Sequence, residues 1–169
     1  KFVHGASTFF AATLHRLRRI DRTWRVRRLP RQGRLVALDV QLFATDDNWW
    51  PQLLGEVRRQ ARSVVVATLC YHNEELQEAL LLRLEAGCSA TVPADKRYFE
   101  DGTCRRQRQR LRTLLQAGAE VRLCGGQQPR GCFREKAVVL GGHVAWVGSA
   151  NWTAAASRNS ELVWRLAGP

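Results

Sequence analysis

The sequence predicts an α/β fold, a sandwich whose mixed β-sheet is flanked by helices, and three observations predict it. Between residues 35 and 124, segments rich in Val and Leu alternate with amphipathic helical segments. Residues 64–71 form an apolar run broken only by Thr68, the pattern of a strand buried on both faces. Two short apolar strands then meet at Gly141-Gly142, and the second closes on Gly148-Ser149-Ala150-Asn151. A strand–helix series followed by consecutive strands calls for a sheet that carries both parallel and antiparallel pairs.

Residues 35–44 read as the first strand. Asp46, Asp47 and Asn48 offer caps for a helix from Trp49 to about Arg62, with Pro51 in its first turn. After the apolar run, Asn73 caps a second helix through about Ala86, with Leu76, Ala79, Leu80 and Leu84 as its inner stripe. Residues 89–93 give a short strand that stops at Pro93. A basic helix from about Gly102 to Gly118 sets Arg105, Arg106, Arg108, Arg110 and Arg112 around Leu111, Leu114 and Leu115. Gly118 fits its C-terminal cap. Residues 121–124 form a further strand, and residues 125–131 a Gly-rich loop. Beyond the hairpin, residues 154–156 start a short helix, and residues 159–166 return as the final strand.

The 169 residues suit one domain with a sizeable core, residues 37–169, behind a basic N-terminal extension, residues 1–36. The formal charge of +12 is unevenly placed: residues 1–36 hold ten Lys or Arg against the single acid Asp21. The rest of the chain carries a net charge of only +3. Such an acid-poor, Arg-rich extension resembles an organelle transit peptide, mitochondrial for example, or a basic arm for a polyanionic partner or membrane surface. A solvated peripheral helix is the plainer alternative. No apolar run reaches the roughly 18 residues that crossing a bilayer needs. Five scattered cysteines without a C-x-x-C pair point to a reduced intracellular protein and give a zinc cluster little support. The absence of methionine, even at position 1, suggests a processed product or a fragment of a longer chain.

The chemistry concentrates in residues 134–153. Arg134 and Lys136 alternate with the strand and share a face with Val138 and Leu140, which sets cations at the mouth of an apolar layer. Gly148 and Ser149 allow backbone N–H groups to approach a bound group closely, and Asn151 brings a donor and an acceptor. A lysine, close backbone donors and an amide together suit a phosphate oxyanion. A strand-end lysine that snorkels to solvent is the plainer account of Lys136. Asn151 and Ser149 likewise suit a loop held by its own hydrogen bonds. Trp146 and Trp152 read as core and rim aromatics. His143 reads as a solvated turn histidine, whereas His72, directly after the buried run, is somewhat better placed by location although nothing in its spacing makes it specific.

These residues resemble the phospholipase D superfamily, whose signature is H-x-K-x(4)-D-x(6)-G-S-x-N with a glutamate roughly ten residues on. With Lys136 on the signature lysine, Gly148, Ser149 and Asn151 fall in register without a gap, and Glu161 fits the later acid. The resemblance spans about residues 40–167. A single signature is most similar to single-motif members such as mitochondrial cardiolipin hydrolase (the Zucchini-like nucleases) and the family's bacterial endonucleases. The resemblance implies a phosphodiester substrate, phospholipid or nucleic acid, and catalysis through histidine without a metal or other cofactor. It also implies a homodimer in which two motifs face each other. Lys136, Asn151 and Glu161 take catalytic positions, with Arg134, Lys136, Ser149 and Asn151 around the phosphate. Two positions depart: Arg134 stands where the family has histidine, and Gly141 where it has aspartate. Arginine stays protonated and has no lone pair with which to attack phosphorus. Weakened or lost turnover is therefore expected, with a phosphate-binding module as the alternative.

Overall fold

Valine-rich segments make the central strands because β-branched side chains pack well on a pleated surface. The computed structural model describes residues 39–44, 48–100, 105–125 and 131–168. The strands are β1 (Asp39–Phe43), β2 (Ser63–Ala67), β3 (Ser89–Asp95), β4 (Glu120–Cys124), β5 (Ala137–Leu140), β6 (Val144–Gly148) and β7 (Val163–Ala167). The helices are α1 (Trp49–Arg59), α2 (Glu74–Glu85), α3 (Lys96–Glu100) and α4 (Arg105–Gln116). The strands form one sheet in the order β1-β7-β6-β5-β2-β3-β4. Strands β2, β3 and β4 run parallel, while β5, β6, β7 and β1 add antiparallel to one another and β5 antiparallel to β2. The sheet is thus mixed, as predicted.

The main core lies on one face of this sheet. Leu53 and Val57 of α1, Leu76, Ala79 and Leu80 of α2, and Leu111 and Leu114 of α4 meet Val64, Val66, Val138, Leu140 and Trp146 there. Each fully buried leucine contributes about 2 kcal/mol of transfer free energy. Ala67, Phe133, Ala137, Ala145, Val147 and Leu166 make a smaller cluster on the other face, to which no described helix contributes. Alternation along β5 divides its residues as expected: Val138 and Leu140 enter the main core, while Ala137 joins the smaller cluster.

Several boundaries differ from expectation. Asn73 caps α2 by accepting from Leu76 N at 2.9 Å, but Asn48 makes no side-chain cap bond and α1 ends at Arg59. The apolar run leaves the β2 ladder after Ala67, because its continuation takes other partners: Thr68 bridges Ala94 and Tyr71 bridges Trp152. Strand β3 continues through Pro93, whose carbonyl still accepts from Thr68 N at 3.0 Å, and ends at Asp95. Helix α3 was not expected. Gly118, at φ +96°, follows the end of α4 as predicted, but Leu115 is 56% exposed and outside the core. Residues 156–158 make a single 3-10 turn, and the last strand starts at Val163 rather than residue 159. Trp152 is buried in the core, not at its rim. The extension 1–36, Asp46 and Asp47, Cys104 and most of the loop 125–131 lie outside the described residues. Cys88 and Cys132 are free thiols.

Candidate functional site

One end of three adjacent strands gathers the predicted residues. Ala137, at the start of β5, pairs with Ala67 at the end of β2 and with Val147 near the end of β6. Lys136, the residues after Ala67 and the Gly148–Asn151 loop therefore emerge together at this edge. Strands of a mixed sheet bring their chemistry to such an edge because loops there are free to vary while the ladder holds them in place.

Lys136 is half-buried, and its Nζ donates to the Arg134 carbonyl at 3.2 Å. Burial lowers its proton affinity below the ordinary lysine value, the Arg134 guanidinium lowers it further, and Glu161 and Glu135 partly oppose both. Desolvation penalises the charged form, and a second cation adds repulsion that an incoming anion relieves. Arg134 is exposed beside it, before the strand proper begins. Phe133, one residue earlier, is fixed from below: its N–H donates to Asp95 Oδ2 at 2.5 Å, while Asp95 Oδ1 accepts from Tyr98 N at 3.0 Å. Buried Asp95 thus holds the start of α3 and the approach to Arg134 and Lys136 at once. The sequence carried a signal for it, an aspartate directly before a helical segment, which is the pattern of an N-cap.

Ser149 and Glu161 come together from positions twelve residues apart, the hydroxyl donating to Glu161 Oε2. Leu162 N donates to Ser149 Oγ at 3.0 Å, and Ser149 N to Leu162 O at 3.0 Å. The Gly-Ser-x-Asn loop is therefore latched to the segment entering β7. Gly148 is required for that latch, since a Cβ there would stand 2.2 Å from Leu162 O. Its close approach is to this backbone, a more specific reason than sequence could supply. Asn151 is half-buried, and its Oδ1 is shielded from solvent without a partner in the protein.

Gly141 and His143 sit elsewhere. Gly141 adopts φ +58° in the β5–β6 turn, where His143 is exposed and its Nδ1 lies 3.2 Å from Gly141 O. At roughly 3.3 Å per residue, this turn is about 16 Å along the strand from Lys136. The missing aspartate thus belongs to the hairpin and not to the sheet edge that carries Lys136. His72 is at the correct end: its backbone N donates to Trp152 O at 2.9 Å, one residue past Asn151, and its Nδ1 is buried without a partner. The basic helix is partly committed to structure. Arg108 donates to the Phe99 and Glu100 carbonyls, both at 2.7 Å, and Arg110 pairs with Glu74 at 3.0 Å, leaving Arg106 and Arg112 exposed. Gln107 Oε1 accepts from Tyr71 N at 2.7 Å and ties α4 to the exit of β2. Among the described residues no group of three or more His, Cys, Asp or Glu could hold a metal ion.

A mixed sheet with a lysine and a latched Gly-Ser-x-Asn loop at one edge defines a protein of the phospholipase D class. The family model described as "Cardiolipin synthase, PLD-like domain" matches residues 54–169, and the chain belongs to that family. Among solved structures it is similar to Nuc of Salmonella typhimurium, a phospholipase D family member, with TM-score 0.66 and 17% identity over 78% of this chain and 84% of that one. NucT from Helicobacter pylori gives TM-score 0.62 and 16% identity over 78% of this chain and 86% of its own. Phosphatidylserine synthase of Haemophilus influenzae gives TM-score 0.61 and 13% identity over 81% of this chain but 36% of its own. At these identities the likeness is one of fold. A comparison with curated proteins finds no match.

Proposed function

We propose that the chain is a phosphodiesterase-type domain that holds a phosphodiester, of phospholipid or nucleic acid, against Lys136, Arg134 and the Gly-Ser-x-Asn loop, with turnover weakened by loss of the signature histidine. The observation that carries this reading is the half-buried Lys136, destabilised as a cation by burial and by Arg134 and flanked by Glu161. Two crowded cations at a sheet edge gain most from an anion between them. Arg134 supplies a bidentate grip in place of a nucleophile. That same substitution favours a second reading, a module that binds phosphodiesters without cleaving them. Pairing of two chains, and delivery of the basic extension to an organelle or anionic membrane surface, complete the proposal.

Binding of bis(p-nitrophenyl) phosphate, single-stranded DNA and anionic vesicles to the parent and to Lys136→Ala tests it. Removing one charge-assisted contact of about 2 kcal/mol predicts a loss of affinity of roughly 30-fold. Equal binding by both proteins rejects the site. Hydrolysis by the parent that Lys136→Ala abolishes rejects the non-catalytic reading, and added activity in Arg134→His supports the account of the missing histidine.

A further inference from the structure

At the same sheet edge, His72 and Asn151 each carry a polar atom without a protein partner. His72 Nδ1 and Asn151 Oδ1 are both shielded from solvent and bond to nothing in the protein. Their segments are joined directly: Tyr71 bridges Trp152, and the N–H groups of His72 and Asn73 donate to the Trp152 carbonyl at 2.9 and 3.1 Å. Tyr71 and Trp152 both lie in the core, and His72 and Asn151 are their immediate neighbours in the chain. A buried polar atom of this kind is costly unless something fills its place. A phosphodiester anion offers only acceptors and leaves Asn151 Oδ1 unsatisfied. Water satisfies both, donating one proton toward the His72 Nδ1 lone pair and the other to Asn151 Oδ1.

We infer that His72 is a catalytic residue of this site, the general base for a water held between it and Asn151, doing by direct hydrolysis what Arg134 cannot do as a nucleophile. The inference rests on the phosphodiesterase reading above. As the water oxygen bonds to phosphorus, its proton passes to His72 Nδ1. The bond from phosphorus to the departing oxygen breaks with its electron pair on that oxygen, which takes a proton from the Lys136 ammonium. Products are a phosphomonoester and an alcohol, and exchange with solvent returns the proton from His72 and restores that of Lys136. The lowered proton affinity of Lys136 suits it to this donation.

The test is steady-state hydrolysis of bis(p-nitrophenyl) phosphate by the full chain, His72→Gln and His72→Asn, with binding of the same diester and thermal melting measured alongside. The expected result is a kcat lower by about 100-fold or more in both variants, with KM and binding within a few-fold of the parent. Using two substituents of different length separates a lost base from a misfolded loop, and only variants that melt with the parent are scored. If the parent hydrolyses the diester and the variants keep its kcat, His72 is not the base, and the phosphodiesterase reading stands without it. If the parent binds through Lys136 but never hydrolyses, the inference is overturned and the binding module remains. If nothing binds, the site reading itself falls, and His72 with it.

Discussion

A lysine at a sheet edge is ordinarily inexpensive, because its long stem reaches water while its charge stays hydrated. Lys136 lacks that freedom, as burial and Arg134 together lower its proton affinity more than Glu161 and Glu135 raise it. The folded chain therefore releases this proton below the ordinary value of 10.5, whereas the unfolded chain holds it up to there. Between those two pH values the unfolded state binds more protons, so stability rises with pH, and at neutral pH the whole cost of the buried cation is present. Lys136→Met keeps the stem and removes the charge. It is expected to melt above the parent at pH 7 while losing phosphodiester binding. The gap should narrow as pH climbs toward 10.5, and a gap that stays constant across alkaline pH shows that the charge is not its source. The sequence could show that Lys136, Ser149, Asn151 and Glu161 keep the signature's register, since register is a matter of counting. It could not show that Ser149 is committed to Glu161 and Leu162, or that His72 lies one residue from Asn151 across a backbone hydrogen bond, because those are contacts between distant segments.

Elements were legible where their pattern was local. Asn73 with Leu76, Ala79 and Leu80 specified α2 because capping and a 3.6-residue stripe are both read within one helix. The run at residues 64–71 was read as one strand because burial, not pairing, makes a segment apolar; Leu69 and Tyr71 are buried although the ladder has ended. Strand β3 passed through Pro93 for a related reason, since proline forfeits only its donor and its carbonyl still meets Thr68. What sequence could not foresee is how the elements are tied across the sheet. Glu56 of α1 accepts from Trp146 Nε1 of β6 at 2.7 Å and from Arg165 Nε of β7 at 2.8 Å, and Arg165 reaches on to Asp39 of β1 at 3.1 Å. This network lashes the helix to three consecutive strands whose far ends carry the Gly-Ser-x-Asn loop and Glu161. Glu56→Ala leaves the indole N–H of Trp146, which is fully buried, without an acceptor. A loss of about 1–3 kcal/mol in denaturant unfolding is expected, with Glu56→Gln recovering part of it through its remaining oxygen. An unchanged midpoint in Glu56→Ala shows that the tie contributes nothing net.

For the molecule as a whole, the open question is how many chains make one site. The chain carries one lysine and Gly-Ser-x-Asn set, and a site that needs two such sets needs two chains, related by a twofold axis as most homo-oligomers are. The proposed base alters that count. His72 and Asn151 belong to segments of one chain joined through Trp152, and Lys136 emerges at the same end of β5 where β2 and β6 also end. A complete set of holding and proton-moving groups then resides in a single chain, whether or not chains pair. Mixing Lys136→Met with His72→Gln, after unfolding and refolding together, distinguishes the two arrangements. If both groups act within one chain, no chain in the mixture has an intact set, and activity stays at the sum of the separate variants. If the partner supplies His72, half of the randomly formed dimers are mixed and each holds one intact site, so about a quarter of the parental activity returns. The expected outcome is no recovery, even when sedimentation of the same mixture shows dimers. Recovery would assign the base to the interface and make pairing a requirement of the chemistry.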